Sequence, residues 1–123
     1  MLLAFENLSE PERLVEIKHQ TNAWEIEYRD TNDHPESRPL NLDPGYLTEA
    51  KLVLATTKDR DHRLYLDQGI FAEVTLYYQR GQGWKSREWT YSDYRSPTYH
   101  EFLTRCRDYL RRARKESRKT SKA

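Results

Sequence analysis

The sequence predicts an α+β domain: a three-stranded antiparallel meander, about residues 62–91, packed with an N-terminal and a C-terminal helix. Near each end of the chain, apolar residues recur at three- and four-residue steps. From His62 onward the period drops to two, and isolated glycines punctuate that stretch. A short extra strand is expected at 40–43. A chain of 123 residues has room for one core, so residues 1–116 read as a single domain, with 117–123 as a disordered basic tail.

The first helix is expected from Glu10 to about Asp30. Ser9 can cap it, Pro11 suits its first turn, and Glu10 and Glu12 favour the positive end of the dipole. Leu14, Ile17, Thr21, Trp24 and Tyr28 draw its apolar stripe. Residues 31–39 are polar and carry two prolines, which marks a loop. The stretch Asn41-Leu42-Asp43-Pro44-Gly45-Tyr46-Leu47-Thr48 joins an acidic side chain and an aromatic to a rigid turn. Thr48 then reads as the cap of a second helix running through Thr57.

Two strands follow, His62–Leu66 and Ile70–Gln79. A three-residue loop, Asp67-Gln68-Gly69, would pair Leu66 with Ile70, Leu64 with Ala72 and His62 with Val74, with Gly69 in the left-handed conformation. One face then carries Leu64, Leu66, Ile70, Ala72, Val74 and Leu76 as core. The other sets Arg63 opposite Glu73 and Tyr65 opposite Phe71, with Thr75 and Tyr77 beyond. That second face is too aromatic for open solvent. A third strand is expected over Trp84–Tyr91. Ser96 caps a last helix with Pro97 at its first position; Tyr99, Phe102, Leu103, Cys106, Tyr109, Leu110 and Ala113 line its inward side, and it frays near Glu116.

Only 36% of the residues are hydrophobic and 33% are charged, yet 12% are aromatic, which separates this chain from disordered ones. The lone cysteine, Cys106, excludes an internal disulfide and a thiolate metal cluster, and on its stripe it reads as inert packing. The sequence has neither a signal peptide nor an apolar run of membrane-spanning length, so a cytoplasmic protein with no membrane partner is expected. Residues 1–104 carry 12 Lys/Arg and 18 Asp/Glu, whereas 105–123 carry 9 and 2. The basic end invites a weak, sequence-independent nucleic-acid or ribosome contact, although such runs are commonly just solvated.

Several segments resemble one family: Asn41–Thr48, Lys51–Asp59, His62–Leu66, Gly69–Leu76, Trp89–Arg95 and the helical Ile17–Asn22. The chain is similar, over most of residues 5–110, to the prokaryotic family called domain of unknown function 4416. The resemblance implies an α+β fold and no assigned function. Some members carry a GTP-binding label, which the absence of a GxxxxGK[ST] loop leaves without support. It also implies an additional α/β segment ahead of Leu2. That segment would cover the Tyr65/Phe71/Tyr77 face; without it, a homodimer through that face is expected.

The candidate chemistry centres on Asp43, Arg63 and Glu73. Asp43 reads as a general base or hard-cation ligand, against a bland Asx turn. Arg63 reads as a fork for phosphate or carboxylate with Glu73 as its orienting or acid/base partner, against a plain cross-strand ion pair. His62 is the third catalytic candidate, and Tyr46, Tyr65 and Lys58 complete the ligand-binding set. Glu16 and His19 form a single Glu-x-x-His pair, and the four histidines lack zinc-ligand spacing, so no metal site is expected and the cofactor is unknown. The resulting expectation is binding of an anionic, partly planar metabolite or nucleotide; if the protein is an enzyme, hydrolysis or group transfer fits best. Two alternatives stand beside it: an RNA-associated protein using the basic end, and a dimeric interaction module without chemistry.

Overall fold

The computed structural model describes residues 1–31 and 33–122, and of their side chains all but those of 119–122. It is α+β, with two long helices and an open antiparallel sheet of five strands. Helix α1 spans Leu14–Thr31, preceded by a single 3₁₀ turn at Pro11–Arg13, and α2 spans Pro97–Lys122. The strands are β1 (Gly45–Leu47), β2 (Lys51–Thr56), β3 (Arg63–Asp67), β4 (Ile70–Gln79) and β5 (Gly83–Ser86). Their order is β1-β2-β4-β3, and β5 pairs with the second half of β4. Among the described residues, no helix is long and apolar enough to cross a membrane. Contacts divide the chain into two compact units.

The first unit comprises Met1–Ser9, Leu47–Val53 and the chain from Val74 onward. Its buried apolar residues are Leu52, Val53, Leu76, Trp84 and Leu103. Residues 48–57, expected as a helix, instead form the β1–β2 turn and strand β2. The reason lies in Thr48, whose Oγ1 accepts from the N–H groups of Ala50 (3.0 Å) and Lys51 (3.1 Å), while its own N–H donates to the Lys51 carbonyl at 2.9 Å. The same hydroxyl chemistry that caps a helix can cap a tight turn, and the β-branched Val53, Thr56 and Thr57 then favour the strand. Leu52 and Val53 are adjacent and both buried, so β2 lacks the alternation that would have revealed it.

β5 stops at Ser86, short of the expected end at Tyr91. Arg87–Thr90 close a turn, and Thr90 Oγ1 accepts from Arg87 N (2.8 Å) while donating to the Thr75 carbonyl (2.6 Å). The Arg95 guanidinium gathers the carbonyls of Arg87 (2.6 Å) and Glu88 (3.3 Å), and its Nε donates to Thr90 O at 2.9 Å. Ser96 caps α2 as expected, accepting from Tyr99 N at 3.2 Å. Leu103 is buried and Phe102, Cys106, Leu110 and Ala113 half-buried along the expected inward stripe. The helix continues through Lys122, past the end expected near Glu116; Ala123 lies outside the described residues. Glu49 reinforces that run, pairing with Arg111 (3.1 Å) and Arg114 (2.8 Å), and basic residues suit the negative end of the helix dipole.

The second unit comprises Glu10–Tyr46 and Leu54–Glu73. The β3–β4 register is the expected one at Arg63↔Glu73, Leu64↔Ala72 and Tyr65↔Phe71. It departs at the loop. Asp67, not Leu66, pairs with Ile70, and Leu66 is absorbed as a bulge. The turn is therefore the two residues Gln68 (φ 50°) and Gly69 (φ 80°), both left-handed as a type I′ hairpin turn requires. Gly69 meets that demand without strain, and Gln68 does so with its N–H bonded to Asp67 Oδ1 at 2.9 Å.

The expected core face is overturned along β3: Leu64 is 73% exposed and Leu66 is exposed as well, while Ile70 is fully buried. β3 is an outer strand, so only β4 beside it lies deep in the sheet. The short strand expected at 40–43 is displaced to Gly45–Leu47, where Pro44 O accepts from Ala55 N at 3.0 Å.

Candidate functional site

Glu73 is 5% exposed on β4, a carboxylate taken almost wholly out of water. Such a group persists only with compensation. Its Oε1 accepts from Arg63 Nε at 3.1 Å and lies 3.0 Å from His62 Nε2. The Arg63 guanidinium also donates to the Lys58 carbonyl at 3.0 Å, and His62 Nδ1 lies 3.2 Å from the exposed Asp61 carboxylate. The alternation along the strand directs His62 toward Val74 and the core; the residue precedes β3 and turns instead toward the buried charge. Arg63 therefore holds the chain rather than offering an open fork.

The other candidates are more scattered. Asp43 is exposed, and its Oδ2 accepts from Asn41 Nδ2 at 3.3 Å, whereas the bland reading places it on backbone N–H groups. Tyr46 is half-buried on β1. Tyr65 is exposed, stacks edge-on with Phe71 at 5.3 Å, and accepts from Gly69 N at 3.3 Å through its hydroxyl. Tyr77 belongs to the other unit and lies under the Arg87 guanidinium at 4.0 Å. The structure joins His62, Arg63, Glu73 and the Lys58 carbonyl, and draws Asp43 to a different group of residues.

That second group is absent from the sequence-based expectation, and it arises from an inversion of α1. The buried positions are Leu14, Lys18 and Thr21, with Glu25 half-buried one turn on, whereas Trp24, Ile26 and Tyr28 are exposed. The helix presents a polar face inward. His19 binds it to the hairpin turn, its Nε2 lying 3.0 Å from the Gln68 carbonyl. Glu25 binds it to the following segment, Oε1 accepting from Arg38 (2.9 Å) and Oε2 from Leu42 N (2.7 Å).

Lys18 is 5% exposed, and among the described residues its ammonium makes no hydrogen bond or ion pair. Burial pushes its pKa below the ordinary lysine value; the charges of Asp43 and Glu25 oppose that shift and Arg38 adds to it. Glu25 and Arg38 also border an open depression of about 180 Å³, completed by Ile26, Arg29 and Ser37. Trp24 and Tyr28 mask this face in the sequence. The usable signal is Lys18 sitting four residues after Leu14 and three before Thr21.

On α2, Arg107 lies 3.6 Å over the Tyr78 ring and donates to the Glu49 carbonyl at 2.7 Å. An open depression of about 210 Å³ is lined by Asp108, Arg111, Arg112 and Lys115, with an acid among the bases. Burial raises the Cys106 thiol pKa, against the pull of Arg105. Among the described residues, no group of three or more His, Cys, Asp or Glu is placed to hold a metal ion.

One family's sequence profile matches residues 1–109. The chain belongs to the Domain of unknown function (DUF4416) family. The matched span includes α1, the whole sheet and both charged groups, and stops within α2 at Tyr109. The basic residues from Arg111 onward lie past the DUF4416 match. No curated protein and no solved structure matches the chain.

Proposed function

We propose that the chain binds a small anionic molecule at the inward face of α1, with Lys18 and Arg38 as its cations. One observation carries this reading: Lys18 is 5% exposed, its ammonium at the small opening that remains, and it has no counter-ion in ion-pair contact among the described residues. A partly desolvated charge without a counter-ion is costly, and perturbed ionisable groups concentrate at functional sites. Glu25 does not neutralise it by contact, since its two oxygens are engaged by Arg38 and Leu42 N. An anion entering the depression would meet the guanidinium groups of Arg29 and Arg38, which are paired with Asp30 and Glu25, and Arg38 is close enough for its charge to act on Lys18.

The reading keeps the anionic ligand expected from the sequence and moves its centre from Arg63, whose guanidinium serves Glu73 and Lys58. Asp43 stays within it through its charge on Lys18. Thermal unfolding in phosphate, pyrophosphate and succinate, at matched ionic strength, tests it. At least one of these should raise the wild-type Tm in a concentration-dependent way, by about 2.7 kcal/mol of stabilisation at a hundred times Kd. Lys18→Met should abolish that response and Arg38→Ala should weaken it. An equal response in Lys18→Met, or none in the wild type, overturns the proposal.

A further inference from the structure

We infer that the second half of α2 docks on double-stranded DNA, its basic side meeting the phosphates that flank the major groove. None of the residues involved belongs to the anion site proposed on α1. Residues 105–118 hold seven Lys/Arg and two acids, Asp108 and Glu116. At about 100° per residue, Arg107, Arg111, Arg114, Lys115 and Arg118 fall within an arc of about 100° on one side of the helix, and both acids lie outside it. Like charges therefore recur four residues apart, at Arg107/Arg111, Arg111/Lys115 and Arg114/Arg118, and such pairs repel along a helix surface. Among the described residues, Glu49 is the one carboxylate from outside α2 that answers them, pairing with Arg111 and Arg114. Lys115 and Arg118 are exposed and make no hydrogen bond or ion pair among the described residues.

The shape and company of this surface select the partner. From Arg107 to Arg118 the arc runs about 16 Å along the helix axis. A small anion could answer one or two of its charges, whereas a DNA duplex carries one negative charge per about 1.7 Å of its axis. Past Leu110 the helix is exposed at Arg111, Arg112 and every residue from Arg114 to Arg118, with Ala113 half-buried. A helix about 10–12 Å across with its side chains fits the major groove of B-DNA, about 12 Å wide. The deep, narrow major groove of A-form RNA does not take one. Ala113 is the sole apolar side chain between Leu110 and Arg118, which leaves nothing to sink into a bilayer. The arc also holds no aromatic ring on which single-stranded bases could stack. The depression lined by Asp108, Arg111, Arg112 and Lys115 offers a backbone phosphate three cations against one acid. Glu49 competes with the phosphates for Arg111 and Arg114.

Fluorescence anisotropy of the full chain with a mixed-sequence DNA duplex of about 20 base pairs, in about 50 to 200 mM NaCl, tests the inference. Neutralising three phosphates should weaken binding by about 40-fold over that range. Lys115→Gln combined with Arg118→Gln should remove most of that salt dependence. Glu49→Gln should tighten binding and steepen the dependence by releasing Arg111 and Arg114. Glu27→Gln, the same change of charge at an exposed position of α1, should leave both close to wild type. No binding at about 50 mM salt, a double variant that binds like wild type, or equal tightening by Glu49→Gln and Glu27→Gln overturns the inference. So does an RNA duplex bound as tightly as the DNA, which would mean backbone contact without groove entry, or a preference for phosphatidylserine vesicles over the DNA.

Discussion

Glu73→Ala is expected to destabilise the protein by about 3–5 kcal/mol, the range for removing one partner of a buried ion pair. Two groups share the deleted oxygen. Arg63 Nε and His62 Nε2 both meet Glu73 Oε1, and the Arg63 side chain is only 11% exposed, so its guanidinium would be left uncompensated. The Arg63 bond to the Lys58 carbonyl would persist, but a neutral acceptor does not replace a carboxylate. Glu73→Gln keeps the volume and an acceptor and should lose less. Arg63→Ala leaves Glu73 facing His62. Urea unfolding at neutral pH measures all three, and a Glu73→Ala midpoint equal to wild type would contradict the structural role assigned to this cluster.

Lys18→Met is expected to act in the opposite direction, stabilising the protein at neutral pH by about 1 kcal/mol or more. Exchanging a buried charged group for an apolar one of similar shape is often favourable. The pH dependence identifies the cause. Lys18 has a lowered pKa in the folded chain, so between that value and the ordinary 10.5 the unfolded state binds more protons than the native one. Wild-type stability therefore gains from this residue as pH rises through that window, and the penalty is fully present below it. The advantage of Lys18→Met should be widest at neutral pH and close as pH approaches 10.5. A variant less stable than wild type, or a gap independent of pH, would show that the ammonium is well solvated or paired in solution.

The elements legible in the sequence are those whose local chemistry has one outcome. Ser96-Pro97 before an apolar stripe starts α2, and cross-strand chemistry fixes Arg63 opposite Glu73. Where one chemistry serves two structures, the sequence misleads. Thr48 bonds the N–H groups two and three residues on in a turn as readily as at a helix start, and β2 is buried on consecutive residues. The β3–β4 loop reaches the expected register by another route, a left-handed Gln68 with a bulge at Leu66.

Half of the charged chemistry is legible for the same reason. Opposed positions in a ladder are neighbours, so the alternation of the two strands is enough to pair Arg63 with Glu73. Asp43 and Arg63 lie on separate elements, and no spacing rule links them. Lys18 escapes because periodicity assigns the apolar side of a helix to the core, and α1 places Trp24, Ile26 and Tyr28 outside while burying Lys18 and Thr21. Such violations of patterning concentrate at functional sites. That is why the inverted face carries the proposal and the self-satisfied Glu73 cluster does not.

The most direct test is the titration of Lys18 itself, followed by NMR of its ¹³Cε in selectively labelled protein and assigned by the loss of that signal in Lys18→Met. The expected midpoint lies below the ordinary 10.5 in the free protein, and a bound anion such as phosphate should move it upward by stabilising the ammonium. A midpoint at the ordinary value that does not respond to phosphate, pyrophosphate or succinate would contradict the account.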